Sequence, residues 1–340
     1  MRAGQRNGLT DVAGLRVGHA AVTGAGARSG STVVLAPPGG AVAGADVRGA
    51  APGTRETDLL DPQATVQRVH AITLSGGSAF GLDAASGVMY RLERDGAGFL
   101  VAGAVVPIVP AAVVFDLGRG GDVRARPDAG TGVAAYDDAH DGSVAQGSVG
   151  AGTGAVAGGL RGGIGSASAV LDRSGSAAPG GPTVAALVVL NAAGSAVDPR
   201  TGEVLGTRSG LPGEFGDAPP DTAARERLAA AHAAHTRAVG AATTLVLVAT
   251  DASLDKAGSA RLAALAHDGL ARAISPVHTL MDGDAAFGLA TGTGPAPDPG
   301  TLYALQAAVA EVTARAVAHA LLAAEPAPDV PSYRSLLASR

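Results

Sequence analysis

Short apolar runs rich in β-branched residues recur along the chain, and they are interspersed with Ala-rich segments of helical periodicity. Runs of this kind, bounded by turn residues, are typical of buried strands. We predict strands at 31–35, 71–74, 99–106, 112–116, 184–190 and 244–250. We predict helices at 78–94, 222–239, 254–274 and 302–324. Interspersed strands and helices, with several strand pairs adjacent, favour a layered α/β or α+β sandwich.

The composition determines how such a core can pack. Aromatic residues make up only 3% of the chain and tryptophan is absent, so the core must be built from Ala, Val and Leu at close approach. The 51 glycines follow no G-X-Y period, which excludes collagen and assigns them to turns and tight backbone contacts. No internal repeat is visible, and we predict that residues 1–340 form a single domain.

Charge and residue usage exclude several classes of function. The net charge of −5 and the lack of a Lys/Arg run argue against nucleic acid and favour a small-molecule or peptide partner. The absence of cysteine excludes disulfides, thiolate nucleophiles and zinc ribbons. The longest uncharged run, 98–115, is interrupted by Pro107 and Pro110, so we predict two buried strands joined by a turn and no membrane contact. The N-terminus lacks the apolar region of a secretory signal, which predicts a cytoplasmic protein.

Three local motifs have simple structural interpretations. The glycine-rich stretch 150–163 lacks both a G-x-G-x-x-G helix start and a Walker motif, and we interpret it as close backbone packing. Ser78 resembles a nucleophile elbow but does not satisfy G-x-S-x-G, so a helix start that is capped or faces an anion is the simpler interpretation. His232 and His235 are spaced to share a helix face, but no third ligand is identifiable, and we predict no metal or cofactor.

The Asp282-Gly283-Asp284 motif is more informative. In an extended segment the two carboxylates would project to one face, with their Cα atoms about 6 to 7 Å apart. Two acids that close perturb each other's pKa or need cationic partners. An acidic turn in water remains an equally open interpretation.

Thr243 and Thr244 stand at the entrance of the predicted strand 244–250, directly behind the small residues 240–242. A threonine hydroxyl is a weak nucleophile until a base takes its proton, and one solution uses the threonine's own α-amino group after the preceding bond is cut. The pKa of such an amine, about 7.7 to 8.0, suits a general base near neutral pH. An ordinary loop-to-strand junction is the alternative.

Together, these segments resemble the L-aminopeptidase/D-esterase (DmpA-like) family, which also contains β-peptidyl aminopeptidases and nylon-oligomer hydrolases. The matching segments run nearly end to end, and their joint order and spacing make the resemblance specific. They are GLTDVAGLRVGHA (8–20), LSGGSAFGLDAASGV (74–88), VVPIVPAAVVFDL (105–117), GSVGAGTGA (147–155), GGIGSAS (162–168), the strand ending at Asn191, TTLVLVATDASLDK (243–256) and HTLMDGDAAFGLATG (278–292).

The resemblance implies a four-layer αββα sandwich of the N-terminal-nucleophile-like type shared with ornithine acetyltransferases. It implies autocleavage between Ala242 and Thr243, giving a large fragment 1–242 and a small fragment 243–340. Thr243 would be the nucleophile and its new amine the base, and Asn191 would supply an amide N–H to the oxyanion. Asp282 and Asp284 would hold and tune the amine or hydroxyl of Thr243.

Three positions depart from the family's pattern. Arg161 stands where nylon hydrolases often carry a lysine, and an arginine can act only as a fixed charge or donor. Val133 stands where a tyrosine is often found, although Tyr136 is nearby. Ala242 replaces an Asn or Gly before the cut, with slower maturation as the expected cost.

The function that the resemblance implies is a self-processing aminopeptidase, amidase or esterase that releases N-terminal amino acids from small peptides, amides or esters through a Thr243 acyl-enzyme. It needs no cofactor, and its processed protomers would form a homo-oligomer, a tetramer or an octamer. Two alternatives stay open. One is an acyltransferase like ornithine acetyltransferase. The other is an unprocessed, non-catalytic relative that binds a ligand, which Arg161 and Val133 motivate.

Overall fold

The computed structural model describes residues 1–172, 180–216, 219–236 and 242–338. In chain order its strands are β1 (Arg16–Ala21), β2 (Gly30–Leu35), β3 (Val42–Val47), β4 (Thr54–Arg55), β5 (Ala71–Ser75), β6 (Phe99–Val101), β7 (Ala104–Val106), β8 (Ala111–Val113), β9 (Val156–Ala157), β10 (Leu160–Arg161), β11 (Gly163–Val170), β12 (Thr183–Leu190), β13 (Leu245–Thr250) and β14 (Ala285–Ala290). Its helices are α1 (Ala84–Arg94), α2 (Ala129–Asp138), α3 (Thr222–Thr236), α4 (Lys256–Ala273), α5 (Pro299–Ala323) and α6 (Tyr333–Ala338).

Two five-stranded sheets dominate the described residues. The first sheet has the strand order β1-β2-β5-β8-β4, and the second has the order β11-β12-β13-β14-β3. Each sheet contains one parallel pair, β5 with β8 and β13 with β14, while its other neighbours are antiparallel. In the β13/β14 pair Leu245 lies opposite Ala285, so the starts of these two strands lie side by side.

The sheets stack face to face with helices outside them. Val34 and Ile72 of the first sheet share a buried cluster with Leu187, Leu247 and Phe287 of the second. Helices α4 and α5 cover the outer face of the second sheet, and α1 and α2 cover that of the first. The layers therefore form an αββα sandwich, as predicted.

Small residues let the helices approach the sheets. A Cβ on Gly165 of β11 would collide with the backbone oxygen of Ala316 in α5. A Cβ on Gly288 of β14 would collide in the same way with the backbone of Ser259 in α4. These contacts explain how a core with few aromatic side chains packs closely, since backbone and small side chains fill the space between layers.

Most predicted elements appear with shifted ends, and some are divided. β2, β5, β12 and β13 match the predicted strands closely, whereas the run 99–106 splits into the β6–β7 hairpin around Ala102 and Gly103, both with positive φ. β8 is buried, but β6 and β7 are largely exposed, so the prediction of two buried strands around the proline turn holds only for β8. The end of the predicted helix 222–239 lies outside the described residues. Among those residues no helix is both long enough and apolar enough to cross a bilayer.

Candidate active site

Thr243 lies at the entrance of β13, between the end of β12 and the loop that leads into β14. Its backbone N–H donates to the carbonyl oxygen of Asn191 at 2.7 Å, and the N–H of Ala242 donates to Met281 at 2.9 Å. Thr243 is only 4% exposed. The backbone around the Ala242–Thr243 bond is thus held on both sides, although residues 237–241 before it lie outside the described part of the chain.

The carbonyl oxygen of Ala242 accepts two hydrogen bonds. The Thr243 hydroxyl donates to it at 2.6 Å, and the backbone N–H of Gly283 donates to it at 3.0 Å. A larger residue at Gly283 would force its surroundings to shift, because a Cβ there would lie 2.8 Å from Thr243 Oγ1 and still closer to the carbonyl oxygen of Ala51. The central glycine of the Asp-Gly-Asp motif therefore lets a backbone donor reach this carbonyl.

The two carboxylates of the motif are buried, each 1% exposed, but they serve different neighbours. Asp282 accepts the N–H of Ala193 at 3.1 Å, and its other oxygen accepts both the N–H (2.9 Å) and the hydroxyl (2.6 Å) of Thr279. It therefore joins the segment after β12 to the loop before β14. The interpretation as an acidic turn in water is wrong.

Asp284 points to the other side of the motif. One of its oxygens accepts the backbone N–H of Thr244 at 2.6 Å, and the other accepts from Nδ1 of His278 at 2.7 Å. Asp284 thus contacts the residue that follows Thr243. The described hydrogen bonds of Thr243 itself are with Ala242 and Asn191.

Asn191 is oriented by two donors. Its Oδ1 accepts from the backbone N–H of Val156 at 3.1 Å and from the guanidinium of Arg119. Its Nδ2 donates to the carbonyl oxygen of Phe115 at 3.3 Å. Because both ends of the amide are engaged, its oxygen and nitrogen cannot exchange places without losing these bonds.

Arg119, which is half-buried, and Asp116, which is buried, influence each other electrostatically behind Asn191. Burial lowers the pKa of Arg119 to about 10, an effect that Asp116 opposes and Arg161 and Arg28 reinforce. Burial also raises the pKa of Asp116, whose carboxylate accepts the N–H of Gly77 at 2.6 Å. The sequence motifs did not single out Arg119. The available signal was Asp116 at the end of the predicted strand 112–116, with Arg119 three residues later.

Arg161 is buried, and its described hydrogen bonds do not involve Thr243. Its guanidinium donates to the carbonyl oxygens of Thr153 (2.6 Å), Glu325 (3.2 Å) and Ala155 (3.5 Å). Burial lowers its pKa. In the described contacts Arg161 therefore organises the loop before β9, whose Val156 contacts Asn191.

The other residues discussed from the sequence make no described hydrogen bond to Thr243. Val133 and Tyr136 lie on α2 in an outer layer, and the Tyr136 hydroxyl donates to Asp95 at 2.8 Å. Ser78 begins a short 3-10 helix with φ of 53°, and its N–H donates to the carbonyl of Val114. Gly154 of the glycine-rich stretch packs against Asp116, in line with close backbone packing.

A cavity of about 200 Å³ opens beside Thr243. The described residues that line it are uncharged and include Pro52, Ser78, Val113, Phe115 and Met281. Its size and lining suit a compact, uncharged group next to the Thr243 hydroxyl.

Among the described residues no group of three or more His, Asp or Glu side chains is arranged to hold a metal ion.

The sequence profile of peptidase family S58 matches residues 7–332. An uncharacterized aminopeptidase of Mycobacterium leprae is 45% identical over 357 aligned residues, covering 98% of this chain and 95% of the relative. A 6-aminohexanoate-oligomer endohydrolase of Paenarthrobacter ureafaciens is 30% identical, covering 77% of this chain and 69% of the relative.

A solved structure with the same architecture is the L-aminopeptidase D-Ala-esterase/amidase of Ochrobactrum anthropi, described as a variant of the Ntn hydrolase fold. It superposes with a TM-score of 0.73 at 21% identity, covering 98% of this chain and 93% of that one. At this identity the likeness concerns the fold, and it agrees with the αββα layering.

Proposed function

The chain belongs to peptidase family S58, and on that premise we propose that it is a self-processing aminopeptidase, amidase or esterase with Thr243 as its nucleophile. The family confirms the resemblance seen in the sequence motifs and makes the protein a hydrolase of peptide or amide bonds. The proposed substrates are small peptides, amides or esters that yield an N-terminal amino acid. Membership of a peptidase family favours transfer of the acyl group to water over transfer to an amine, and catalysis over mere binding.

The observation that carries this proposal is the pair of donors on the Ala242 carbonyl oxygen. The Thr243 hydroxyl lies at 2.6 Å from that oxygen, so the proposed nucleophile is already against the peptide group that it would attack. The Gly283 N–H, 3.0 Å from the same oxygen, is placed to stabilise the negative charge that develops there. An ordinary strand junction requires neither contact.

In the proposed maturation Thr243 Oγ1 attacks the carbonyl carbon of Ala242. The C–N bond to Thr243 breaks, and the hydroxyl proton passes in net terms to the departing nitrogen, which leaves an ester. Water then hydrolyses the ester, giving a carboxylate at Ala242 and a free amine on Thr243. The single domain 1–340 would thereby become a large fragment 1–242 and a small fragment 243–340.

In the proposed turnover the new Thr243 amine takes the hydroxyl proton and Oγ1 attacks the substrate carbonyl. Asn191 Nδ2 carries two hydrogens, of which one is directed to Phe115, and we assign the other to the substrate's oxyanion. The leaving amine or alcohol takes a proton, and water then attacks the acyl-enzyme and regenerates Thr243. No cofactor takes part in the proposed steps.

The acidic pair and Arg161 have supporting roles in this proposal. Asp282 fixes the loop that carries Gly283, and Asp284 holds the backbone beside Thr243, close to where its amine would form. Arg161 acts as a fixed donor that organises the loop before β9. An arginine can fill this role, although it cannot give up its proton and so could not act as a proton shuttle.

Assembly and location extend the proposal beyond the single chain. We propose a homo-oligomer, a tetramer or octamer of processed protomers, in the cytoplasm. Light scattering of the purified, processed protein tests the assembly, and a monomeric mass would contradict it.

Intact-mass measurement tests the central claim. Purified protein should resolve into two chains whose masses correspond to 1–242 and 243–340, and Thr243→Ala should remain one uncut chain without hydrolase activity. Thr243→Ser, which keeps a hydroxyl, is the matched control and should still be cut. A Thr243→Ala chain that divides at the same bond would show that Thr243 is not the nucleophile.

A further inference from the structure

His278 lies in the loop between α4 and β14 and adopts a left-handed backbone conformation with φ of 56°. Its ring Nδ1 lies 2.7 Å from Asp284 Oδ2, and its backbone N–H donates to the same oxygen at 3.3 Å. A non-glycine residue seldom adopts positive φ, and such a conformation persists only where the surroundings enforce it. Here it brings both donors of one residue onto a single carboxylate oxygen.

The second oxygen of Asp284 links this contact to the site of Thr243. It accepts the Thr244 N–H at 2.6 Å, and the carboxylate is 1% exposed. Asp284 therefore bridges His278 and the first peptide group after Thr243. If one oxygen of this buried carboxylate lost its donor, the unsatisfied acceptor would destabilise the arrangement. The bridge therefore depends on His278.

The neighbours of His278 indicate which nitrogen carries its proton. An ionised carboxylate can only accept, so Nδ1 must be the donor. The ring packs edge to face against His267, with ring centroids 4.7 Å apart, and Nε2 of His278 is buried without a described partner. Burial lowers the pKa of His267, and its Nε2 donates to the carbonyl of Asp46 at 3.0 Å. A His278 ring that carries a proton on Nδ1 satisfies this arrangement.

We propose that His278 is a positioning residue for Asp284: its Nδ1–H holds the carboxylate in the orientation that receives the Thr244 N–H and thereby fixes Thr243 for attack. The inference rests on the proposed role of Thr243. It is separate from the assignments of Asp282, Asp284 and Asn191, since His278 contacts the reaction only through another side chain.

Loss of this donor should lower the rate more than it weakens substrate binding. A shift of about 1 Å in a reacting group can cost on the order of a hundredfold in rate. His278 does not belong to the described lining of the cavity beside Thr243, so KM should change little. A defect confined to kcat and to the rate of self-cleavage is therefore the expected signature.

The test compares replacements that differ in where they place a donor. His278→Asn puts an amide N–H near the position of Nδ1 and tolerates positive φ, whereas His278→Gln places its amide near the position of Nε2. His278→Phe keeps the ring but has no donor. We expect Gln and Phe to lower kcat and the self-cleavage rate roughly ten- to a hundredfold, and Asn to restore most of both.

Two controls separate the positioning role of His278 from a loss of ring packing and from misfolding. His267→Gln disturbs the ring contact but not Asp284, and it should keep near wild-type kcat. Thermal unfolding of each variant shows whether it is folded, and kcat is expressed per cleaved chain. A folded His278→Phe with wild-type kcat and cleavage would overturn the inference, as would a folded His278→Asn no better than His278→Gln. Thr243→Ala is assayed alongside to test separately the premise that Thr243 is the nucleophile. An active Thr243→Ala would contradict the proposed function itself.

Discussion

The hydroxyl oxygen of Thr243 lies 2.6 Å from the carbonyl oxygen of Ala242 and donates a hydrogen bond to it. The two residues are held by different neighbours, because the N–H of Thr243 donates to Asn191 and the N–H of Ala242 donates to Met281. The peptide bond between them is thus fixed beside its proposed nucleophile. In the proposed mechanism two oxyanions would therefore form at different places: one on Ala242 during maturation, close to Gly283, and one on the substrate, which we assign to Asn191.

Gly283→Ala should slow self-cleavage by roughly tenfold or more. The added Cβ would lie 2.8 Å from Thr243 Oγ1 and would also press on Ala51, so both the nucleophile and the N–H donor must shift. The rate is measured by intact mass after expression as a function of time. Gly216→Ala is the matched control, because nothing lies within 4 Å of the Cβ it adds. Equal cleavage rates in the two variants would contradict the role of Gly283.

Asn191→Asp should leave self-cleavage largely intact and lower kcat for an amino-acid p-nitroanilide by about 10²- to 10³-fold. The carboxylate preserves the shape of the side chain and its contact with Arg119 but cannot donate to an oxyanion. Intact mass and steady-state kinetics on the same preparation separate the two effects. An uncut Asn191→Asp chain would show that Asn191 also serves maturation.

The sequence predicted strands where β-branched residues are continuous and failed where small residues replace them. β12 and β13 are apolar apart from one threonine each and were recognised, but β11 (GIGSASAV) and β14 (AAFGLA) were not. At Gly165 and Gly288 these strands carry glycine because helix backbone lies directly against them. Helix packing therefore requires small residues in β11 and β14, and these strands lack the β-branched runs on which a prediction from propensity depends.

The site was predictable in part, and for a similar reason. Thr243, Asn191 and the acidic pair were proposed as site residues only through the family resemblance, because local chemistry left both the threonine and the Asp-Gly-Asp motif ambiguous. Arg119 is 72 residues from Asn191, and the two meet only when both sheets have formed. The different partners of Asp282 and Asp284 depend on loops from other parts of the chain, which periodicity along one strand cannot reveal.

Arg119→Met should lower kcat about tenfold with little change in KM, because Asn191 Oδ1 would keep only the Val156 N–H and the amide could turn. The pKa of Asp116, already raised by burial, should rise further once the neighbouring cation is gone. Steady-state kinetics measure the effect. Arg124→Met changes an exposed arginine and should keep wild-type kcat. If Arg119→Met also kept it, the Val156 N–H alone would suffice to orient Asn191.

His19 should make stability depend on pH. Its Nδ1 lies 2.9 Å from Thr32 Oγ1, and that oxygen accepts the Ala151 N–H at 3.0 Å, so the Thr32 hydroxyl donates to a neutral ring. Burial lowers the pKa of His19 from 6.5 to about 4. The unfolded chain therefore binds the proton first, and stability present above pH 6.5 is lost as the pH falls towards 4, by about 3 kcal/mol at pH 4.

His19→Asn, whose amide oxygen can accept from Thr32 without titrating, should remove this part of the acid destabilisation. Urea unfolding at pH 7 and pH 4 measures the difference between the variant and the wild-type protein. His140→Asn replaces an exposed histidine close by, which is a minor cause of the lowered pKa of His19, and should keep most of the wild-type loss. The same loss of stability in His19→Asn as in the wild type would mean that other groups cause it, since an asparagine has no proton to bind in this range.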